Sequence, residues 1–208
     1  MLIQIVLFEG FDELDAIAPF EVLSMAARRM PDWRVEFVTT DGAASIRAAN
    51  GLVLQLDGAR LNAVNRPDVL LVPGGGWADR TPKGARAEVE RGAIPAGIAE
   101  LHQAGTVIAS VCTGAMLVAA AGLLKGRPAV THHLAESDLR AAGAKVISAR
   151  VVDDGRIISA GGITSGLDLA LWLIERFAGA GLTREIETRL EYERRGKVWQ
   201  SATQPDRI

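Results

Sequence analysis

Short runs of β-branched and other apolar residues alternate with longer stretches of helical periodicity along this chain. Such runs are typical of strands that are buried in a sheet. They occupy residues Leu2–Phe8, Arg34–Thr40, Val69–Val72 and Thr106–Val111. Because helical segments separate most of them, the pattern predicts an α/β fold in which a mostly parallel sheet is covered by helices on both faces.

Capping and turn residues divide the rest of the chain. Asp12 is the expected N-cap of a first helix that contains Pro19, so we expect a kink or a late start there. Thr183 is expected to cap the last helix, and Lys145–Ser148 is expected to form a strand. Two hairpins are predicted at the dipeptides Asn50-Gly51 and Asp154-Gly155.

The chain shows no linker and no internal repeat. We therefore expect residues 1–195 to form a single domain and residues 196–208 to form a polar C-terminal tail. The segment 77–93, rich in glycine, arginine and proline, is expected to be a surface loop or lid with some helix. Parallel sheets of this type bind ligands at the carboxyl ends of their strands.

Composition excludes several classes of protein. The 208 residues carry 23 lysines and arginines against 25 acidic residues, which argues against nucleic-acid binding through bulk positive charge. The longest apolar stretch, Ala115–Leu124, is half the length that a membrane span needs, about 20 residues, and no targeting segment is visible. One cysteine and three histidines offer no disulfide and no recognisable metal site. We expect a cytoplasmic protein without metal or cofactor.

The single cysteine, Cys112, stands where a buried strand meets a helix of small residues. The run Ser110-Val111-Cys112-Thr113-Gly114 matches the strand-to-helix turn called a nucleophile elbow, which projects one side chain over the edge of a sheet. The start of the following helix is expected to stabilise a thiolate and lower the thiol pKa. Buried structural cysteines are common, but they are expected within an element. The junction therefore favours a nucleophile.

Glycines after another strand complete a possible oxyanion hole. Residues Gly74–Gly76 follow Val69–Val72 after Pro73, and their backbone N–H groups are free to point into a site. Gly75, Gly76 and the N–H of Thr113 are the expected donors. A flexible turn into the lid is the alternative interpretation.

Acid–base partners for Cys112 are less clearly marked. Asp15 lies near an apolar helix face and could hold a proton in a desolvated site, yet a first-turn acid that favours the helix dipole would look the same. Glu21 is a second candidate for the acid that holds this proton. His132 or His133 could serve as a general base, but adjacent strand residues point to opposite faces, so at most one faces the site. The segment Gly161–Gly166 lacks the lysine of a P-loop and predicts close backbone packing beside the site.

Four segments carry a resemblance to a known family. They read, in chain order, LDAIAPFEVL, VLLVPGGG, SVCTGAMLVAAAGLLKGRPAVTHH and SAGGITSGLDLALWLIER. Together they resemble the ThiJ/PfpI superfamily, over Leu2 to about Arg194. The resemblance implies a three-layer, flavodoxin-like α/β sandwich of the class I glutamine amidotransferase-like type, and a homodimer.

Within the superfamily the chain looks most like the isonitrile hydratase branch. The acid of L-D-x-x-x-P, the C-T-G-A elbow and the G-G-[IV]-T-[AS]-G-[IL]-D helix start carry that likeness. It implies hydration of isonitriles to N-substituted formamides, with Cys112 as nucleophile, Asp15 moving protons, and Gly75 and Thr113 as amide donors.

Other activities remain open from the sequence. Peptidase members carry C-H-G at the elbow, and glutamine amidotransferases carry a late histidine that this chain lacks. Glyoxalase or deglycase chemistry on α-oxoaldehydes is one alternative, and a non-enzymatic redox sensor that uses oxidation of Cys112 is another.

Overall fold

A seven-stranded sheet forms the centre of the protein, as seen in a computed structural model that describes residues 1–201. Two small two-stranded sheets lie beside it. The strands, in chain order, are β1 Leu2–Val6, β2 Arg34–Val38, β3 Ser45–Arg47, β4 Val53–Gln55, β5 Val69–Val72, β6 Val107–Val111, β7 Pro128–Ala129, β8 Lys145–Val146, β9 Val151–Asp153, β10 Ile157–Ala160 and β11 Trp199–Gln200.

The order of the central sheet is β11-β9-β10-β6-β5-β1-β2. Five neighbouring strands of this sheet run parallel to one another, namely β2, β1, β5, β6 and β10. Their order along the chain is the doubly wound 2-1-3-4-5 arrangement, as in flavodoxin. Strands β5, β6 and β10 are buried along their whole length. The prediction of an α/β sandwich with a mostly parallel sheet is confirmed.

Helices form the two outer layers. The helices are α1 Glu13–Ala27, α2 Ala85–Arg91, α3 Ala93–Gln103, α4 Gly114–Ala120, α5 Glu136–Ala141, α6 Ser165–Ala178 and α7 Ala180–Leu190. Helices α1, α6 and α7 pack on one another, and α2, α3, α4 and α5 form the second group. Asp12 caps α1 as predicted, and Pro19 lies inside that helix without delaying its start. A Cβ on Gly166 would lie 3.2 Å from Pro19 Cγ, so α6 approaches α1 closely there.

Three local expectations differ from the structure. Thr183 lies inside α7 rather than at its start, and its Oγ1 donates to the carbonyl of Gly179 at 3.2 Å. Strand β8 is shorter than expected and pairs with β7 outside the central sheet. Strand β11 lies within the expected tail, yet it extends the central sheet beside β9. The rest of that tail, residues 202–208, lies outside the described residues.

No helix in the described range, residues 1–201, combines the length and the apolar character needed to cross a membrane.

Candidate active site

Cys112 occupies a strained turn between β6 and α4. Its φ is +58°, a left-handed value that residues other than glycine rarely adopt. The Cys112 N–H donates to the carbonyls of Ala160 and Gly161, each at 3.0 Å, and Thr131 Oγ1 donates to the Cys112 carbonyl at 2.9 Å. These bonds hold the strained conformation, as is usual where backbone strain serves a site. The predicted elbow is therefore present.

Gly114 lets the elbow pack directly on the end of β5. A Cβ at this position would lie 2.1 Å from the carbonyl oxygen of Val72, which no side chain could tolerate. The glycine therefore allows the start of α4 to approach the loop that follows β5. This contact brings Cys112 and the Gly74–Gly76 loop to the same edge of the sheet.

Asp15 is completely buried at that edge, on the first turn of α1. The Gly74 N–H donates to its Oδ2 at 3.0 Å, while its Oδ1 has no hydrogen-bond partner within residues 1–201. Burial, reinforced by the negative charge of Asp12, raises the pKa of Asp15 to about 8. At neutral pH this carboxyl group therefore carries a proton and can act as an acid. Glu21, the other candidate, is exposed.

Asp15 and Cys112 lie close enough for each to influence the other's pKa. Burial is the main reason that the pKa of the Cys112 thiol is raised, and the Asp15 carboxylate raises it further. The N–H groups of Ile163 and Thr113 lower it and do not compensate. The expectation of a lowered thiol pKa is therefore wrong for this site, because only 6% of the residue is exposed and α4 spans a mere seven residues.

Ile163 is a site residue that the sequence analysis missed. It follows β10 with a φ of +35°, which is rare for a β-branched residue, and its N–H interacts with the Cys112 thiol. The segment Gly161–Gly166 was expected only to pack closely. Its position after a buried parallel strand was the available signal, because the ends of such strands meet at one edge.

The glycine loop serves the site in a different way from the one expected. The Gly75 N–H donates to Thr113 Oγ1 at 2.9 Å, and the Gly74 N–H is engaged by Asp15. Gly75 is thus not an open donor here, although it ties the loop to the elbow. Gly76 has a φ of +66°, and its N–H has no acceptor within residues 1–201.

His132 lies at the border of the site, immediately before a 3-10 turn that spans His133–Ala135. Its ring rests on Gly162, where a Cβ would lie 2.4 Å from the ring carbon Cδ2. The Leu134 N–H donates to His132 Nδ1 at 3.3 Å, and burial lowers the pKa of the ring. The neutral ring then carries its proton on Nε2. The two histidine rings lie 4.3 Å apart at a tilt.

Among residues 1–201, no three histidine, cysteine, aspartate or glutamate side chains are grouped so that they could hold a metal ion.

Comparisons with known proteins agree with this architecture. The sequence model of the DJ-1/PfpI family matches residues 1–176. An isonitrile hydratase from Pseudomonas putida is 33% identical over 92% of this chain and 79% of its own length. A deglycase from Thermococcus kodakarensis is 28% identical over 76% of this chain and 89% of its own.

Solved structures show the same fold. The crystal structure of a ThiJ/PfpI family protein from Pseudomonas syringae has a TM-score of 0.81 with 26% identity, over 94% of this chain and 76% of that one. Drosophila melanogaster DJ-1beta has a TM-score of 0.79 with 21% identity, over 93% of this chain and 98% of that one.

Proposed function

Because the chain belongs to the DJ-1/PfpI family, we propose that it is a cysteine-dependent hydratase (a lyase) that adds water to isonitriles and releases N-substituted formamides. The similarity to the isonitrile hydratase of Pseudomonas putida supports this substrate class. The observation that carries the proposal is a completely buried carboxyl group, whose pKa burial raises to about 8, beside the thiol of a nucleophile elbow.

The protonated Asp15 suits the first half of this reaction. The terminal carbon of an isonitrile bears a lone pair and becomes electrophilic once it is protonated, so the reaction begins with an acid. Asp15 donates its proton to that carbon, Cys112 Sγ forms a bond to it, and the thiol proton passes to the Asp15 carboxylate. The product is a thioimidate, R–N=CH–S–Cys112, and Asp15 is protonated again.

Water completes the second half. Its oxygen bonds to the thioimidate carbon, and the nitrogen receives a proton through Asp15. The C–S bond then breaks, the sulfur takes the hydroxyl proton, and R–NH–CHO leaves. The N–H groups of Ile163 and Thr113 stabilise charge on the sulfur whenever the C–S bond forms or breaks.

The test is turnover by the wild-type protein and by Cys112→Ala. Each is incubated at neutral pH with isobutyl isonitrile, and the formamide is followed by proton NMR. We expect the wild type to form the formamide and the variant to lose at least about 10³-fold in rate. Absence of product with the wild type, or equal rates for both proteins, would overturn the proposal. Thermal melts of both proteins check that the variant is folded.

Glyoxalase or deglycase chemistry is the second candidate. A thiol beside a protonated carboxyl group is also suited to add to an aldehyde carbonyl, and the similarity to the Thermococcus kodakarensis deglycase favours this class. Methylglyoxal replaces the isonitrile in the same experiment. Turnover of methylglyoxal alone, lost in Cys112→Ala, would favour the second candidate over the first.

We also propose that the protein is a cytoplasmic homodimer. The single cysteine, which allows no intrachain disulfide, is consistent with that compartment. Leu14 is 51% exposed at the start of α1. Exposed Leu52 and Val53 lie on the hairpin that Glu13 holds through Asn50. A second copy would cover these apolar side chains, and light scattering coupled to size-exclusion chromatography measures the mass that decides it.

A further inference from the structure

A cavity of about 500 Å³ borders the loops that hold Cys112. Two of its lining residues contact the cysteine directly, since Thr131 Oγ1 donates to the Cys112 carbonyl and the Gly161 carbonyl accepts the Cys112 N–H. A larger cavity of about 840 Å³ is lined by residues of the segment 191–200 and includes neither of them, although Arg150 lies between the two cavities and lines both. The smaller cavity is therefore the one placed to receive the substituent of a molecule that reacts at Cys112.

Hydrogen-bond donors line this cavity. His132 is one of the lining residues, and its proton is on Nε2 because its Nδ1 accepts the Leu134 N–H. Arg150, Ser148, Thr164 and Ser165 line it as well, and each of their side chains carries a hydrogen-bond donor. Glu136, the acidic lining residue, is paired with Arg140 at 2.9 Å. The lining thus offers donors to a substituent that contains oxygen acceptors.

Arg150 is held in one orientation. Its Nε and Nη2 both donate to Asp168 Oδ2, at 2.8 and 2.5 Å, and Nη2 also contacts Thr164 Oγ1 at 3.3 Å. Asp168 is 3% exposed and is itself fixed by Tyr192 and by the Arg195 N–H. Nη1 has no hydrogen-bond partner within residues 1–201. A guanidinium held in this way presents its free donors without further ordering, which favours a planar acceptor such as a carboxylate or carbonyl group.

We propose that the substrate of the Cys112 site is an isonitrile whose substituent carries an oxygen acceptor, a carboxylate or an ester or amide carbonyl, and that Arg150 selects it. This inference rests on the proposed hydratase function and names its substrate class. An alkyl isonitrile of the same size would leave the donors of Arg150 and His132 without partners, which weakens its reaction.

The experiment compares kcat/KM for isocyanoacetate, methyl isocyanoacetate and isobutyl isonitrile, which has the branched shape of the carboxylate. We expect one or both oxygen-bearing substrates to exceed isobutyl isonitrile about tenfold or more. If only isocyanoacetate is preferred, the acceptor that the cavity recognises is a carboxylate. If its methyl ester is preferred equally, the acceptor is a carbonyl group. Arg150→Lys, which keeps the positive charge beside Asp168 but loses the planar fork, should reduce the preference to within about threefold.

A matched control uses a second paired arginine. Arg127 contacts Asp154 at 3.0 Å and does not line the cavity, so Arg127→Lys should keep the wild-type preference. Equal kcat/KM for all three substrates in the wild type, or an unchanged preference in a folded Arg150→Lys, overturns the inference and leaves the hydratase function standing. Turnover of none of the three overturns both.

Discussion

Asp15 and Asp153 are both completely buried, and they have opposite surroundings. Asp153, at the end of β9, accepts the Trp172 Nε1–H at 2.8 Å, the Gly155 N–H at 2.8 Å, and Arg176 Nη1 at 3.0 and 3.1 Å. Asp15 accepts one N–H and faces a thiol. Burying a carboxylate is tolerable where donors and an opposite charge match it, and otherwise the group takes up a proton. The comparison separates a carboxyl group that stabilises the fold from one that is ready for chemistry.

The largest expected effect is on turnover in Asp15→Asn. The amide keeps the shape of the side chain but cannot exchange a proton, so isonitrile turnover should fall by about 10²–10⁴-fold. Steady-state kinetics on a protein with an unchanged circular dichroism spectrum measures this. Near-wild-type turnover would remove Asp15 from the mechanism and transfer its role to His132.

Asp153→Asn should behave in the opposite way. The substitution leaves Arg176, whose side chain is 15% exposed, without its counter-charge, so the free energy of unfolding should fall by about 3 kcal/mol. Turnover of the folded protein should remain within about twofold, since Asp153 lies away from Cys112 and from the cavity. Urea titrations with kinetics on the same samples test both points. A loss of turnover without a loss of stability would break the comparison.

The pH dependence of stability sharpens the comparison further. The Asp15 pKa rises from its ordinary value of 3.8 to about 8 on folding, so wild-type stability that is present at low pH is lost as the pH rises through this range. The asparagine variant does not titrate there. The free energy of unfolding of the variant, relative to that of the wild type, should therefore increase from pH 4 to pH 8 by at most about 1.4 kcal/mol per pH unit. Thermal melts at each pH measure this as an increase in the Tm of the variant relative to the wild type. A constant difference would mean that Asp15 is not held in its neutral form.

The smallest effect concerns the hydroxyl group that Gly75 uses as an acceptor. Thr113→Val leaves the buried Gly75 N–H unpaired and should lower the free energy of unfolding by about 1–2 kcal/mol. Thr113→Ser keeps the oxygen and should retain most of that stability. Thermal melts of the two variants compare them, and equal stability would show that this bond contributes nothing to the loop.

Local signals in the sequence predicted much of the fold and the strand-to-helix turn that holds Cys112. The apolar runs at β1, β5 and β6, the Asn50-Gly51 hairpin and the elbow at Cys112 all depend on neighbouring residues, and the structure contains each of them. Thr183 misled the prediction because a residue with capping ability also fits inside a helix, where its hydroxyl bonds to the carbonyl four residues earlier.

The surroundings of the thiol were harder to predict. Asp15 and Glu21 could not be separated, because their burial depends on how α1 packs against distant segments. The raised thiol pKa follows from the same packing, since desolvation outweighs the nearby N–H groups. The positive φ of Ile163 leaves no mark in the sequence, because isoleucine is not a residue that usually adopts it.

Strand β11 protects an edge. It pairs with β9 through Trp199 and Val152, and the Ser201 N–H donates to the Asp153 carbonyl. Without residues 196–201 the outer side of β9 would present unpaired backbone groups, which serve as a template for pairing with another chain. By pairing with β9, the short C-terminal strand therefore limits edge-to-edge aggregation at this side of the sheet.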